Sequence, residues 1–251
     1  MRHSVAGANR HLQWECVGMA TGTAPRATRP ITFADVEPAG LRGWARLFAA
    51  RVSPRIIVVA LTIALVARIA VGGWRRADLA VAAVLVAAQP FTEWLIHVVV
   101  LHFRPRRRGG RTIDLYIARK HRAHHVDPAD IGLVFVATPA LVGLIAGDAV
   151  VMLAVFRDVH LWLTALVTGY GLLLGYEWTH YLIHTPHIPR SWWYRRVWRA
   201  HRLHHFKNEH HWFGITSHLA DRVLRTFPDR SAVPTSPTAR NLHGEATLGV
   251  G

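Results

Sequence analysis

Eighteen histidines stand in a chain of 251 residues, and ten of them fall into four tight groups. These are His97 with His102, His121 with His124 and His125, His180 with His184, and His201 with His204 and His205. Imidazole is a ligand suited to transition metals. Residues three and four apart share one helical face. Each HxxHH group can therefore aim three imidazoles at one place, and the HxxxH pair two. His97 and His102 are five apart, about 140° around an ideal helix. One of them must lie where the helix ends or distorts, or the two serve different metals. Ten nitrogens suit two ions with about five ligands each, whereas one ion would leave half of them idle.

Glu93 lies one turn before His97 and Glu177 one turn before His180. Each is a candidate outer acceptor that orients a ligand imidazole, or an ordinary polar residue at a helix end. The other histidines are not expected to be ligands. His3, His11 and His243 lie in tails, and His160 caps a turn. His187, His210, His211 and His218 stand near the groups as residues able to tune them. No side-chain nucleophile is proposed.

The elements that must position these groups follow from hydropathy and charge. Mean hydropathy is +0.17 while the formal net charge is +15. A single soluble core rarely combines the two, but a membrane protein with basic loops does. Four apolar segments, 52–73, 78–103, 131–156 and 161–183, are each long enough for a bilayer core of about 30 Å, which takes about 20 helical residues. Arg68, near the end of the first, is expected to snorkel to the interface. The third carries Pro139 and Asp148. Only Arg157, Asp158, Val159 and His160 link the third to the fourth, which predicts a tight hairpin.

The segments 104–130 and 190–230 carry most of the arginines. The positive-inside rule then puts both, with the two termini, on the cytoplasmic side. The second and fourth spans run toward that side, so all four histidine groups meet at one membrane face. Trp74, Trp162, Trp192 and Trp193 fall near the predicted boundaries. Residues 1–45 and 231–251 read as weakly ordered tails around a membrane domain at 46–230. The first forty residues show no apolar core of a cleavable signal peptide. Cys16 is the only cysteine, which excludes an intrachain disulfide. Nucleic-acid binding, the ordinary reading of such basicity, is disfavoured because long apolar stretches separate the basic clusters and no nucleic-acid motif is present.

The order HxxxxH, HxxHH, HxxxH, HxxHH resembles the fatty acid hydroxylase and sterol desaturase superfamily of membrane di-iron enzymes. Its flanking residues narrow the likeness: Glu93-Trp-Leu-Ile-His97, Phe103-Arg-Pro105, Thr179-His-Tyr-Leu-Ile-His184, His204-His-Phe-Lys207 and Phe213-Gly-Ile-Thr-Ser217 are similar to the fatty acid 2-hydroxylase branch. The likeness covers residues 78–229. It implies an all-α integral membrane fold of four transmembrane helices, capped by cytosolic helices that hold two metals on the ten histidines. It also implies two iron ions, for which zinc can substitute, and O₂ as co-substrate. The reaction would be hydroxylation of a C–H bond in a fatty acyl chain or related lipid, with two electrons from outside. Such a bond has no acidic proton for a side-chain base, so a redox metal suits the chemistry.

Many eukaryotic relatives carry a fused cytochrome b5 domain, for which residues 1–45 are too few. A separate donor is therefore expected, a ferredoxin, cytochrome or reductase, at a bacterial inner membrane. Carotenoid and sterol-type hydroxylases or desaturases share the order of the groups and form the alternative within the enzyme class. A metal transporter would place its ligands near the bilayer midplane. A non-catalytic zinc site would normally close with four ligands including Cys.

Overall fold

The computed structural model describes residues 31–36 and 40–243. Its helices are α1 (Gly40–Ala49), α2 (Val52–Val71), α3 (Arg76–Leu95), α4 (Tyr116–Val126), α5 (Ile131–Val134), α6 (Thr138–Phe156), α7 (Val159–His184), α8 (Trp192–Phe206) and α9 (Leu219–Val223). A π-helical segment, Ile96–Leu101, continues α3, and Arg106–Arg108 (β1) pairs antiparallel with Arg111–Ile113 (β2).

Among the described residues, four stretches are long and apolar enough to cross a membrane: Val52–Val71, Arg76–Leu101, Ile131–Phe156 and Val159–His184. They match the four expected from hydropathy. α7 is central and packs against α2, α3 and α6. The outward faces carry exposed Ile63, Val66, Leu79, Val84, Val150 and Val155, a surface suited to lipid and costly in water. The protein is an all-α integral membrane fold. The third span is broken between α5 and α6. Pro139 falls in the first turn of α6, where its missing N–H costs nothing, so it opens that helix and does not kink it.

At one end of the bundle α6 turns into α7 through Arg157, which adopts φ 46°. Asp158 caps α7 by accepting from the backbone N–H of His160 at 2.9 Å and of Leu161 at 3.2 Å. It also pairs with Arg75 at 2.8 Å. His160 bonds the carbonyl of Gly72 at 3.1 Å. Arg68 does not snorkel. It is fully buried, ion-paired with Asp78 at 2.9 Å and bonded to Thr164 Oγ1 at 2.8 Å, with its guanidinium 3.8 Å from the Trp74 ring centre. The short turn from α2 to α3 brings the Asp78 carboxylate level with the guanidinium, and a desolvated charge keeps such a partner.

α3 and α7 both end at the other face, where α4 and α8 cap the bundle. Residues 1–30, with Cys16, His3 and His11, lie outside the described residues. The described residues of the supposed N-terminal tail pack through Phe33 and Trp44. Phe33, Trp44 and Phe48 form a buried aromatic cluster with Tyr181 of α7, and Thr32 bridges to Asp130. Residues 231–243 also differ from the expected loose tail: Val233, Ala239 and Leu242 are buried. Backbone bonds hold this stretch, Ser236 N–H to the Lys207 carbonyl at 2.7 Å and Asn208 Nδ2 to the Pro234 carbonyl at 3.2 Å. Composition does not reveal ties of that kind.

Candidate metal centre

The ten histidines converge as two groups of five. His97, His102, His121, His125 and His204 form one, and His124, His180, His184, His201 and His205 the other; within each, the candidate ligand atoms all lie within 4.8 Å of one another. Each HxxHH triplet is divided between the groups, contrary to the expectation that its three rings share one target. His121 and His125, four apart on α4, serve the first group, while His124 crosses to the second. α8 does the reverse, sending His201 and His205 to the second group and His204 to the first. Positions i and i+4 lie about 40° apart around a helix, but i+3 and i+4 lie about 100° apart. Each cap helix therefore lies across both groups with one ring on either side of the divide.

His97 and His102 belong to the same group. The backbone N–H of His102 donates to the carbonyl of His97 at 3.0 Å, an i to i+5 bond that wraps five residues into one wide turn and brings the two rings to one face. The distorted helix is the realised alternative. The HxxxH pair on α7 needs no such device.

The ring nitrogens fit a metal. Nε2 atoms of His97 and His125 lie 3.2 Å from that of His121. In the second group His184 lies 3.1 Å from His124 and from His201, and His205 lies 3.0 Å from His201. With metal–nitrogen bonds of about 2.1 Å, ligands at right angles are about 3.0 Å apart. The Nε2 atoms of His102, His180 and His204 are buried without a hydrogen-bond partner. Burial, reinforced by neighbouring imidazoles, holds His102, His121, His124, His201, His204 and His205 well below the ordinary histidine range and His125 down to about 3. Neutral rings leave their lone pairs free for a cation, and all-imidazole donor sets suit iron or zinc.

Backbone carbonyls aim four of the rings. Nδ1 of His97 donates to Phe213 at 2.7 Å, that of His125 to Ala239 at 2.9 Å, that of His204 to His211 at 2.8 Å and that of His180 to Val134 at 2.9 Å. A proton fixed on Nδ1 presents the Nε2 lone pair to the centre. Glu93 and Glu177 do not touch an imidazole, as was considered for them. Each instead pins the loop that supplies a carbonyl. Glu93 accepts from the backbone N–H of Ile215, from that of Thr216 at 2.9 Å and from its hydroxyl at 2.6 Å, just after Phe213. Glu177 accepts from Ser53 Oγ at 2.6 Å and from Val136 N–H at 2.9 Å, just after Val134.

Trp212, between His211 and Phe213 whose carbonyls accept from the ligand rings, is buried with φ 58°, a left-handed conformation that tertiary contacts must enforce. Asp221 clamps the next residues, accepting from Phe213 N–H at 3.0 Å and Gly214 N–H at 2.7 Å. A Cβ at Gly214 would collide with the Ser217 carbonyl, so the position demands glycine. His243 also has a role that its tail position hid. Arg104 Nε donates to its Nδ1 at 3.0 Å, and its Nε2 lies 3.2 Å from the His102 carbonyl. The rings of His160, His187, His210, His211 and His218 enter neither group.

Two cavities lead from the membrane to the histidines. One of about 230 Å³ lies between α3, α6 and α7, and one of about 40 Å³ abuts His121, His124 and His180. Both are lined by Leu101, Ile117, Val136 and Tyr176. A mostly apolar passage thus ends where the two groups meet.

Fold and site together define a membrane protein with two adjoining all-histidine groups, each able to hold a metal ion, at one end of its helix bundle. The fatty acid hydroxylase family model matches residues 82–226, and the chain belongs to that family, whose named members are oxidoreductases. It is 28% identical over 143 residues to the dihydroceramide fatty acyl 2-hydroxylase FAH2 of Arabidopsis thaliana, covering 54% of this chain and 55% of that one. It is 34% identical over 152 residues to the fatty acid 2-hydroxylase of Rattus norvegicus, covering 57% of this chain and 38% of the relative. The chain thus spans only about half, or less, of the length of these curated relatives. A solved structure of full-length scs7p, in which only the hydroxylase domain is visible, aligns with a TM-score of 0.57 at 20% identity over 72% of this chain and 66% of that one. That alignment supports the fold.

Proposed function

We propose that the protein hydroxylates a C–H bond in a fatty acyl chain or related membrane lipid, using two iron ions held by the two histidine groups. The observation that carries this reading is the apolar passage ending against His121, His124 and His180, where the two groups meet. Bound iron would supply the redox chemistry that an unactivated C–H bond requires: one oxygen atom of O₂ enters the bond and the other leaves as water, with two external electrons and two protons.

The chain's own residues bind, orient and exclude water. Leu101, Ile117 and Val136 hold the hydrocarbon in register. The carbonyls of Val134, Phe213, His211 and Ala239 fix the ligand rings so that little reorganisation accompanies turnover. Lys120 lines the cavity beside the histidines and also a neighbouring cleft with Arg51, a setting suited to an anionic headgroup. Membrane lipids extracted from cells with and without the gene, grown under isotopically labelled O₂, test the reading by mass spectrometry. A labelled hydroxyl lipid that appears only with the gene is the expected result, and its absence in iron-replete cells overturns the assignment.

Electrons are proposed to come from a separate carrier, a ferredoxin, cytochrome or reductase, at the cytoplasmic face. Arg195, Arg199 and Arg202 are exposed in a stripe along α8, opposite the face that carries His201, His204 and His205. An acidic donor docked there would sit one helix thickness from the centre, and its transfer rate should fall with added salt. A rate insensitive to salt, and to reversing these three charges, would count against the stripe.

A further inference from the structure

The passage between α3, α6 and α7 is not uniformly apolar. Asp148 lines it, ten residues into α6 from Thr138 and so about 15 Å from the metal-side end of that helix. Gln89 of α3 also lines it, eight residues before His97 and about 12 Å from that ligand. For a hydrocarbon core of about 30 Å, both stand near the middle of the bilayer. Ionisable groups at that depth are rare, and they mark functional sites more often than structural ones.

Neither side chain is consumed by the fold. Among the described residues, Asp148 and Gln89 make no hydrogen bond with the protein. The Tyr170 hydroxyl, on the same cavity wall, donates to the Ile145 carbonyl at 3.0 Å. The carboxyl lies against the backbone of α7 at Gly169, where an added Cβ would come within 3.4 Å of Asp148 Oδ2. Asp148 is half-buried, whereas the buried Glu93, Glu177 and Asp78 are bonded to Thr216, Ser53 and Arg68 respectively. An unpaired carboxyl within a hydrocarbon-lined cavity is costly unless something that enters the cavity satisfies it.

We propose that the inner end of this passage is a polar subsite, in which Asp148, assisted by Gln89, accepts a hydrogen bond from a hydroxyl carried on the substrate's hydrocarbon chain about 15 Å from the carbon presented to the metals. The inference rests on the hydroxylase reading above and narrows its substrate to a chain that is polar at both ends. A wholly saturated, unsubstituted acyl chain would leave both side chains unsatisfied. Asp148 then acts as a specificity determinant remote from the reacting atoms.

The test is binding of ω-hydroxyhexadecanoic acid, its ω-methoxy ether and hexadecanoic acid to the purified, metal-loaded chain in detergent, followed by native mass spectrometry. The hydroxyl probe should bind about ten-fold more tightly than either of the others, as one buried hydrogen bond to a carboxyl implies. Asp148→Asn, which keeps an acceptor, should retain the preference, and Asp148→Leu should erase it while hexadecanoic acid still binds. Equal binding of the three probes to the unaltered protein overturns the subsite whatever the variants do, as does a preference that survives in Asp148→Leu. Oxygen insertion is read separately on the same samples. A binding preference without oxidation of any probe would sink the hydroxylase reading alone, and oxidation without a preference would sink the subsite alone.

Discussion

Among single residues, the two buried glutamates show how this site is held. Glu93 and Glu177 stand in equivalent places on α3 and α7, each one turn before a ligand histidine, and each grips the backbone two residues beyond the carbonyl that aims that histidine. Their influence should be confined to one group apiece. Glu93→Leu is expected to weaken metal binding at the group containing His97 by about 10- to 100-fold, the range seen for lost outer contacts, and to spare the other. Glu177→Leu should do the converse, and Glu93→Gln, which keeps an acceptor oxygen, should recover most of the loss. Metal content per chain under graded chelator reads this directly. Equal loss from both groups in either variant would show that the glutamates serve general stability instead. The sequence carried the spacing of these residues but not their partners, because Ser53, Val136, Ile215 and Thr216 reach them from distant parts of the chain.

At the level of elements, the convergence of the ten histidines was legible because imidazoles at helical spacing group on shared faces. The spans were legible because lipid demands long apolar runs. The allocation of ligands was not. Which ring of an HxxHH triplet crosses to the neighbouring group depends on how α4 and α8 lie across the bundle, a tertiary quantity. The wide turn at Ile96–Leu101 was foreseeable in outline, since five-residue spacing cannot face one way on a regular helix. It also makes a prediction. Deleting Val99 shortens the spacing to four, which an ordinary helix can place on one face, so that variant should keep both ions. Inserting an alanine after Val99 should cost the first group its ion, as measured by metal stoichiometry and compared with the deletion. Retention of both ions by the insertion would mean that the turn adapts freely and is not a positioning device.

For the whole molecule, ions held by the two groups would add ties between the cap and the bundle. Each group draws rings from α4, from α8 and from the end of a membrane span, so a bound ion cross-links the cap to the bundle. Removing the metal with a chelator should lower the thermal midpoint and expose α8 to protease ahead of the spans. At a metal concentration 100-fold above its dissociation constant each site is worth about 2.7 kcal/mol. An unchanged midpoint after complete removal would show that the cap docks without metal. The stretch 231–243 belongs to the same cap. Its small and polar residues read as a tail because their contribution is made by backbone, through the Ala239 carbonyl on His125 and the ties to residues 207 and 208.

The buried Arg68–Asp78 pair, at the end farthest from the metals, bears on how the chain enters its membrane. An arginine within a membrane span raises the cost of insertion, and its counter-charge here is not synthesised until the following helix. The first two spans should therefore partition from the translocon as a hairpin, the second neutralising the first. A nascent chain halted after residue 74 should integrate poorly, one halted after residue 101 well, and Arg68→Leu should remove the difference; a glycosylation or protease-protection reporter would register each outcome.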